Sequence, residues 1–121
     1  MPRPVHFEIH ADDPERAVSF YEGVFGWQIA KWEGPVDYWI VTTGPEEGPG
    51  INGAIMQRVR GGTTYNTIDV PSVDQYIELI LQAGGEVVMQ KTVVPRVGYM
   101  AYCADTEGNV FGIMEVDETA E

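Results

Sequence analysis

Val5–Trp27, VHFEIHADDPERAVSFYEGVFGW, reads as a strand, a turn and a capped helix. Val5, Phe7 and Ile9 alternate with His6, Glu8 and His10, the two-residue period of a strand with one apolar and one polar face. Asp13 is placed to cap free backbone N–H groups, and Pro14 fits the first helical position, where its missing N–H costs nothing. Ala17, Phe20, Tyr21, Val24 and Phe25 fall on one helical stripe, and Gly26 supplies a left-handed residue to end it.

A second, degenerate copy begins near Tyr65. Tyr65–Val70 reads as strand, Ser72 and Gln75 form a capping-box pair, and Val73, Tyr76, Ile77, Ile80 and Leu81 share a helical face that stops at Gly84-Gly85. Asp13 and Ser72 lie fifty-nine residues apart, as do Gly26 and Gly85, while Ile55-Met56-Gln57 matches Ile113-Met114-Glu115 at fifty-eight. Two independent anchors agree to one residue, the mark of a repeat.

The chain of 121 residues suits one compact domain, and two half-size modules are each too small to bury a good core alone. They share a core or dimerise. A formal charge of −12 opposes nucleic acid and anionic membrane as partners. Residues 117–121 are expected to be a solvated acidic tail. No stretch reaches the ~18 apolar residues of a membrane span, no secretion is expected from the opening Met1-Pro2-Arg3-Pro4, and the single Cys103 forbids an internal disulfide or a cysteine zinc site. The expected location is the cytoplasm.

Between the copies, Trp27–Trp32, Tyr38–Thr43 and Asn52–Val59 read as strands; after the second helix come Glu86–Gln90, Gly98–Ala104 and Val110–Val116. Each module is β-α-β-β-β, so the expectation is an α+β single domain, 1–121, with modules at 4–60 and 63–117. The loop 44–50 excludes regular structure through its glycines and prolines, and is either a flap or a hairpin connection. With the helices on one sheet face, the other is free for function. His6 points there, and Gln57, Tyr65 and Glu115 are read as its equivalents, converging only if the modules face each other.

The segments HFEIHADDPERAVSFYEGVFGW, NTIDVPSVDQYIELILQAGG and VGYMAYCADTEGNVFGIMEV together resemble the vicinal-oxygen-chelate superfamily, the glyoxalase, bleomycin-resistance and dihydroxybiphenyl-dioxygenase fold. The resemblance implies paired modules forming a cleft, commonly in a homodimer. In metal-dependent relatives, a cleft metal is held from the first and last strands of each module. Carried over, those positions are His6, Gln57, Tyr65 and Glu115, giving a metal set of His6, Glu115 and Gln57. Tyr65 stands where such a relative commonly has histidine.

Among single residues, Glu8 and Glu115 are the acid–base candidates, and His6, Tyr65, Trp39, Tyr99 and Tyr102 the ligand-contact candidates. His10 is expected at a solvated loop edge, and Cys103 as a small buried hydrophobe. Two functional readings follow. One is a small-molecule binding protein whose cleft needs no cofactor. The other is a lyase, isomerase or dioxygenase with nickel, zinc, manganese or iron on His6 and Glu115, stabilising an enediolate-type anion. A catalytic ion usually has about three protein ligands, and the incomplete set here favours the first.

Overall fold

The computed structural model describes residues 2–59 and 61–121; Met1, at the expected N-terminal entry, and Arg60, at the expected end of module one, lie outside them. Among the described residues run β1 (Arg3–Ala11), α1 (Pro14–Phe25), β2 (Gln28–Lys31), β3 (Tyr38–Thr42), β4 (Gly53–Gln57), β5 (Thr64–Asp69), α2 (Val73–Gln82), β6 (Glu86–Val94), β7 (Gly98–Ala104) and β8 (Val110–Val116). This is β-α-β-β-β twice, an α+β fold. Contacts divide the chain into two compact units, His6–Tyr65 and Asn66–Glu121, the latter with the residues up to Val5.

In the first unit the strands run β2-β3-β4-β1. β1 and β4 are parallel, with Phe7 beside Gly53 and Ile9 beside Ile55, while β2, β3 and β4 are antiparallel. Asp13 is extended and its side chain accepts the Arg16 N–H, Pro14 follows, and Gly26 ends α1 at φ 71° with its N–H on the Glu22 carbonyl. These are the local signals that the sequence carries. Ala17, Val18 and Tyr21 of α1 then pack on Phe7, Ile9, Ala11, Val41 and Ile55, with Trp27, Ile29 and Trp39 alongside. Tyr21 and Trp27 stack with their ring planes 4° apart. Val41 and Ile55 are wholly buried, each worth about 2–3 kcal/mol. Gly53 has no alternative, because a Cβ there would meet the Phe7 carbonyl oxygen at 2.5 Å.

In the second unit the strands run β5-β8-β7-β6. β5 and β8 are parallel, with Thr67 beside Gly112; the rest are antiparallel. Ser72 caps α2 by accepting the Gln75 N–H. Tyr76, Ile77 and Ile80 pack on Ile68, Val70, Ala101, Cys103 and Ile113. Cys103 is buried, and that burial pushes its thiol pKa up.

Three expectations change here. The left-handed residue after α2 is Gly84, at φ 95°, rather than Gly85. Both halves' anchors beyond the helix therefore agree at fifty-eight, and the one-residue deletion lies between Ser72 and Gly84. β6 continues past Gln90 to Val94, because register shifts at Val87/Met89 and Met89/Thr92 let its pairing with β7 resume. The acidic tail docks instead of dissolving. Asp117 N–H bonds the Val97 carbonyl, Ala120 N–H the Asp117 carbonyl, and Arg96 N–H the Ala120 carbonyl, leaving Ala120 1% exposed. Backbone hydrogen bonds supply the order that composition alone does not.

No helix among the described residues is long and apolar enough to cross a membrane. The 44–50 connection is closed at its base as a hairpin loop: Thr43 N–H bonds the Asn52 side chain and Thr43 Oγ1 donates to the Ile51 carbonyl.

Candidate functional site

Because Phe7 and Ile9 face α1, alternation sends His6, Glu8 and His10 to the helix-free face of module one. On β3, Trp39 and Val41 face the helix, so Tyr38 and Ile40 share the face of His6. β4 adds Ala54 and Met56.

A hydrogen-bonded line crosses this face. Tyr38 O–H donates to Glu8 Oε2 at 3.0 Å, and His6 Nε2 lies 2.9 Å from the same hydroxyl. With its proton spent on Glu8, the phenol oxygen accepts from His6 Nε2–H. His6 is thereby held as the Nε2–H tautomer, with Nδ1 left as the acceptor. Trp32 packs edge-on against the Tyr38 ring, with centroids 5.9 Å apart.

Glu8 is only 4% exposed, and a buried carboxylate needs polar compensation. Tyr38 supplies a hydrogen bond. His10 Nε2, 3.8 Å from Glu8 Oε1, supplies proximity without a bond.

His10 is buried at 5% exposure, which corrects its expected place at a solvated edge. The segment beyond β4 folds over it: His10 N–H bonds the Thr63 carbonyl, and the Val59 N–H points at Nδ1 at 3.3 Å. Tyr65 meets its ring edge-on at 4.5 Å. Its Nε2 has no hydrogen-bond partner among the described residues.

Burial lowers the pKa of His6 and of His10, against an opposing pull from Glu8 in both cases. Burial first, then the charge and hydrogen bond of Glu8, push the Tyr38 phenol far up. The arrangement offers an approaching molecule a neutral imidazole acceptor, backed by a phenol that a carboxylate holds in place.

The other sequence candidates are placed differently. Gln57 shares the face of Ile55, toward α1, and its amide donates to the Asp12 carbonyl just before that helix. Glu115 shares the face of Phe111 and Ile113, toward α2, and its Oε1 accepts the Val73 N–H at 2.9 Å. Their reading as equivalents of His6 on the helix-free face is thus corrected: both serve helix starts. Trp39 and Tyr99, expected as ligand-contact residues, also lie under the helices, with Lys31 and Lys91 over their respective rings. Tyr102 alternates with Ala101 and Cys103 and lies on the opposite face of its strand.

Tyr38 is the residue that sequence reasoning missed. The signal was there: adjacent aromatics in a strand take opposite faces, so one of Tyr38 and Trp39 had to join His6.

The implied metal set does not fit these side chains as they stand. A metal ligand needs a lone pair on the donor atom, and with His6 Nε2–H donating to Tyr38 only Nδ1 keeps one. Gln57 and Glu115 are committed to helix starts in their own units. Among the described residues no group of three or more His, Cys, Asp or Glu side chains is disposed to hold an ion.

A separate cavity of about 410 Å³ lies at the start of α1, lined by Asp12, Asp13, Arg16, Phe20, Tyr21 and Arg58, among others. There Arg58 is paired with Asp12 at 2.8 Å and Asp13 is spent on the helix cap.

The family described as bleomycin resistance protein-like N-terminal matches residues 3–44. Similar solved structures cover nearly the whole chain. A hypothetical protein from Bacillus halodurans C-125 is 16% identical with a TM-score of 0.72, covering 99% of this chain and 98% of its own. A methylmalonyl-CoA epimerase in complex with methylmalonyl-CoA and NH4+ is 13% identical with a TM-score of 0.71, covering 100% and 99%. The Mycobacterium tuberculosis methylmalonyl-CoA epimerase is 13% identical with a TM-score of 0.69, covering 94% and 87%. No curated protein matches the sequence. The match over residues 3–44 and these structures together give the chain the doubled β-α-β-β-β fold of the vicinal-oxygen-chelate, glyoxalase/bleomycin-resistance-like proteins.

Proposed function

We propose that this protein binds a small molecule on the helix-free face of module one without using a metal, as a cytoplasmic homodimer. His6 and Tyr38 meet the ligand, and Glu8 holds them. The observation that carries the reading is the pair of hydrogen bonds joining His6, Tyr38 and Glu8. A buried carboxylate and an oriented imidazole are costly to assemble for stability alone. Ile40, half-exposed on the same strand face as Tyr38, supplies apolar contact beside them. A small number of placed polar groups on an apolar surface is the usual make-up of a ligand site.

The test is a thermal-shift screen of uncharged, cationic and anionic small molecules, with hits re-measured by calorimetry. Hits should weaken by about tenfold or more in His6→Ala, the loss of one good polar contact. They should be unaffected in Tyr99→Phe, under α2. Equal affinity in His6→Ala and wild type would overturn the reading.

A second reading is proton transfer at carbon, favoured by the presence of an acceptor nitrogen beside a fixed hydroxyl. Structural relatives include methylmalonyl-CoA epimerases, so methylmalonyl-CoA in D₂O is the first substrate to try. Deuterium incorporation that vanishes in His6→Ala would support this reading, and no incorporation would leave binding alone.

A further inference from the structure

We infer that the Tyr38 hydroxyl is a positioning group occupying the place that a cation would take between His6 Nε2 and Glu8 Oε2, and that it is what keeps this site from taking a divalent metal. The inference rests on the metal-free reading above and deepens it. The strand β1 carries His6, Glu8 and His10 two residues apart on one face, and the first two are an imidazole and a carboxylate of the kinds that hold zinc.

The phenol oxygen stands between the first two, 2.9 Å from one and 3.0 Å from the other. Zinc would ask for about 2.0–2.2 Å to each, a contraction that small side-chain rotations supply once the oxygen is gone. His10 adds no third ligand, because its Nδ1 accepts the Val59 N–H and the proton of the neutral ring is then on Nε2, 3.8 Å from the other carboxylate oxygen. Tyr38 opposes an ion in two ways. It fills the space, and by accepting from Nε2–H it stabilises the tautomer whose Nε2 has no lone pair to give.

Trp32 packs against the ring of Tyr38, and its strand neighbour Trp39 is set in the helix-side core. The hydroxyl is thereby fixed from a rigid element, the condition for a positioning role. Glu8 completes the device: by accepting the Tyr38 O–H bond it turns the oxygen's lone pairs toward His6.

The experiment is calorimetric titration of Zn²⁺ and Ni²⁺ into wild type, Tyr38→Phe, Tyr38→Phe/Glu8→Gln and His6→Ala, each first shown by circular dichroism to be folded. Wild type should bind no stoichiometric ion. Tyr38→Phe should bind one, at least about tenfold more tightly than wild type, the scale on which partners of metal ligands act. The added Glu8→Gln change should remove that gain. Nitrogen-15 NMR of wild type gives a readout that needs no variant: a proton on His6 Nε2, slow to exchange and undisturbed by an equivalent of Zn²⁺.

A folded Tyr38→Phe that binds metal no better than wild type, or an unprotonated Nε2 in wild type, overturns the inference and leaves the metal-free reading standing. A stoichiometric ion in wild type that disappears in His6→Ala overturns that reading, and the inference with it.

Discussion

Module one places His6, Glu8, His10 and Tyr38 on its helix-free face, whereas module two, built from the same elements in the same order, has Tyr65, Thr67 and Asp69 on the strand equivalent to β1 and Met100 and Tyr102 on the one equivalent to β3. On the helix side the two agree closely. Ile55 and Ile113 are both buried, Asp13 and Ser72 both cap a helix, and Gln57 and Glu115 both reach the start of their module's helix. What the two copies share is architecture. What one copy has alone is not required for the fold, and this marks the His6–Tyr38–Glu8 line as the place to seek function.

The comparison breaks most visibly in the cores. Ile55→Ala and Ile113→Ala should each cost about 3–4 kcal/mol, since each removes a wholly buried side chain packed under a helix. Urea unfolding of the pair measures it. Losses differing by more than about 2.5 kcal/mol, beyond the usual spread for one chemistry, would mean that the modules are not equivalent as packed units.

The helix starts sharpen it next. Glu115→Ala should cost about 1.5 kcal/mol, because it removes an acceptor from the N-terminal N–H of α2 and a negative side chain from the positive end of a helix. Gln57→Ala, which removes a neutral and exposed bond, should cost about 0.5 kcal/mol. Equal effects from the two would remove the electrostatic part of that account.

The smallest effect is the most diagnostic. Both histidines of the chain lie in module one, and burial lowers the pKa of each below the ordinary 6.5. The unfolded chain therefore takes up protons first as pH falls. The stability contributed by the neutral histidines is complete above pH 6.5 and is lost as pH drops from there through their folded values. The melting temperature should fall between pH 7 and pH 5, and this fall should shrink in His10→Gln. A profile unchanged in that variant would mean that His10 is not held neutral by its surroundings.

Much of this fold was legible because its signals are local. Asp13-Pro14, Gly26 and Ser72 act through hydrogen bonds and φ preferences within a few residues, and the structure uses them as read. His6 and Glu8 were legible as a pair because β1 alternates cleanly. The closing strands do not. In Ala54-Ile55-Met56-Gln57 and Phe111-Gly112-Ile113-Met114-Glu115 both faces are apolar, so the face of the terminal residue could be fixed only by knowing which isoleucine meets the helix. The same double apolarity hid the sides of Tyr99 and Trp39. His10 was misplaced for another reason: what buries it is Val59 and Thr63, some fifty residues along the chain, and no local pattern announces that return. The order of the tail likewise rests on the distant Arg96 and Val97.

All three tryptophans, Trp27, Trp32 and Trp39, belong to module one. Intrinsic emission excited at the red edge of protein absorption is therefore a private channel on that half of the molecule, blind to module two. Within it the three indoles report different things. Trp27, stacked on Tyr21, and Trp39, under α1, register the packing of the helix. Trp32, edge-on to Tyr38, stands next to the hydrogen-bonded line itself. Replacing Trp27 and Trp39 by phenylalanine leaves a chain with one indole, placed by the fold as a sensor for whatever arrives at His6.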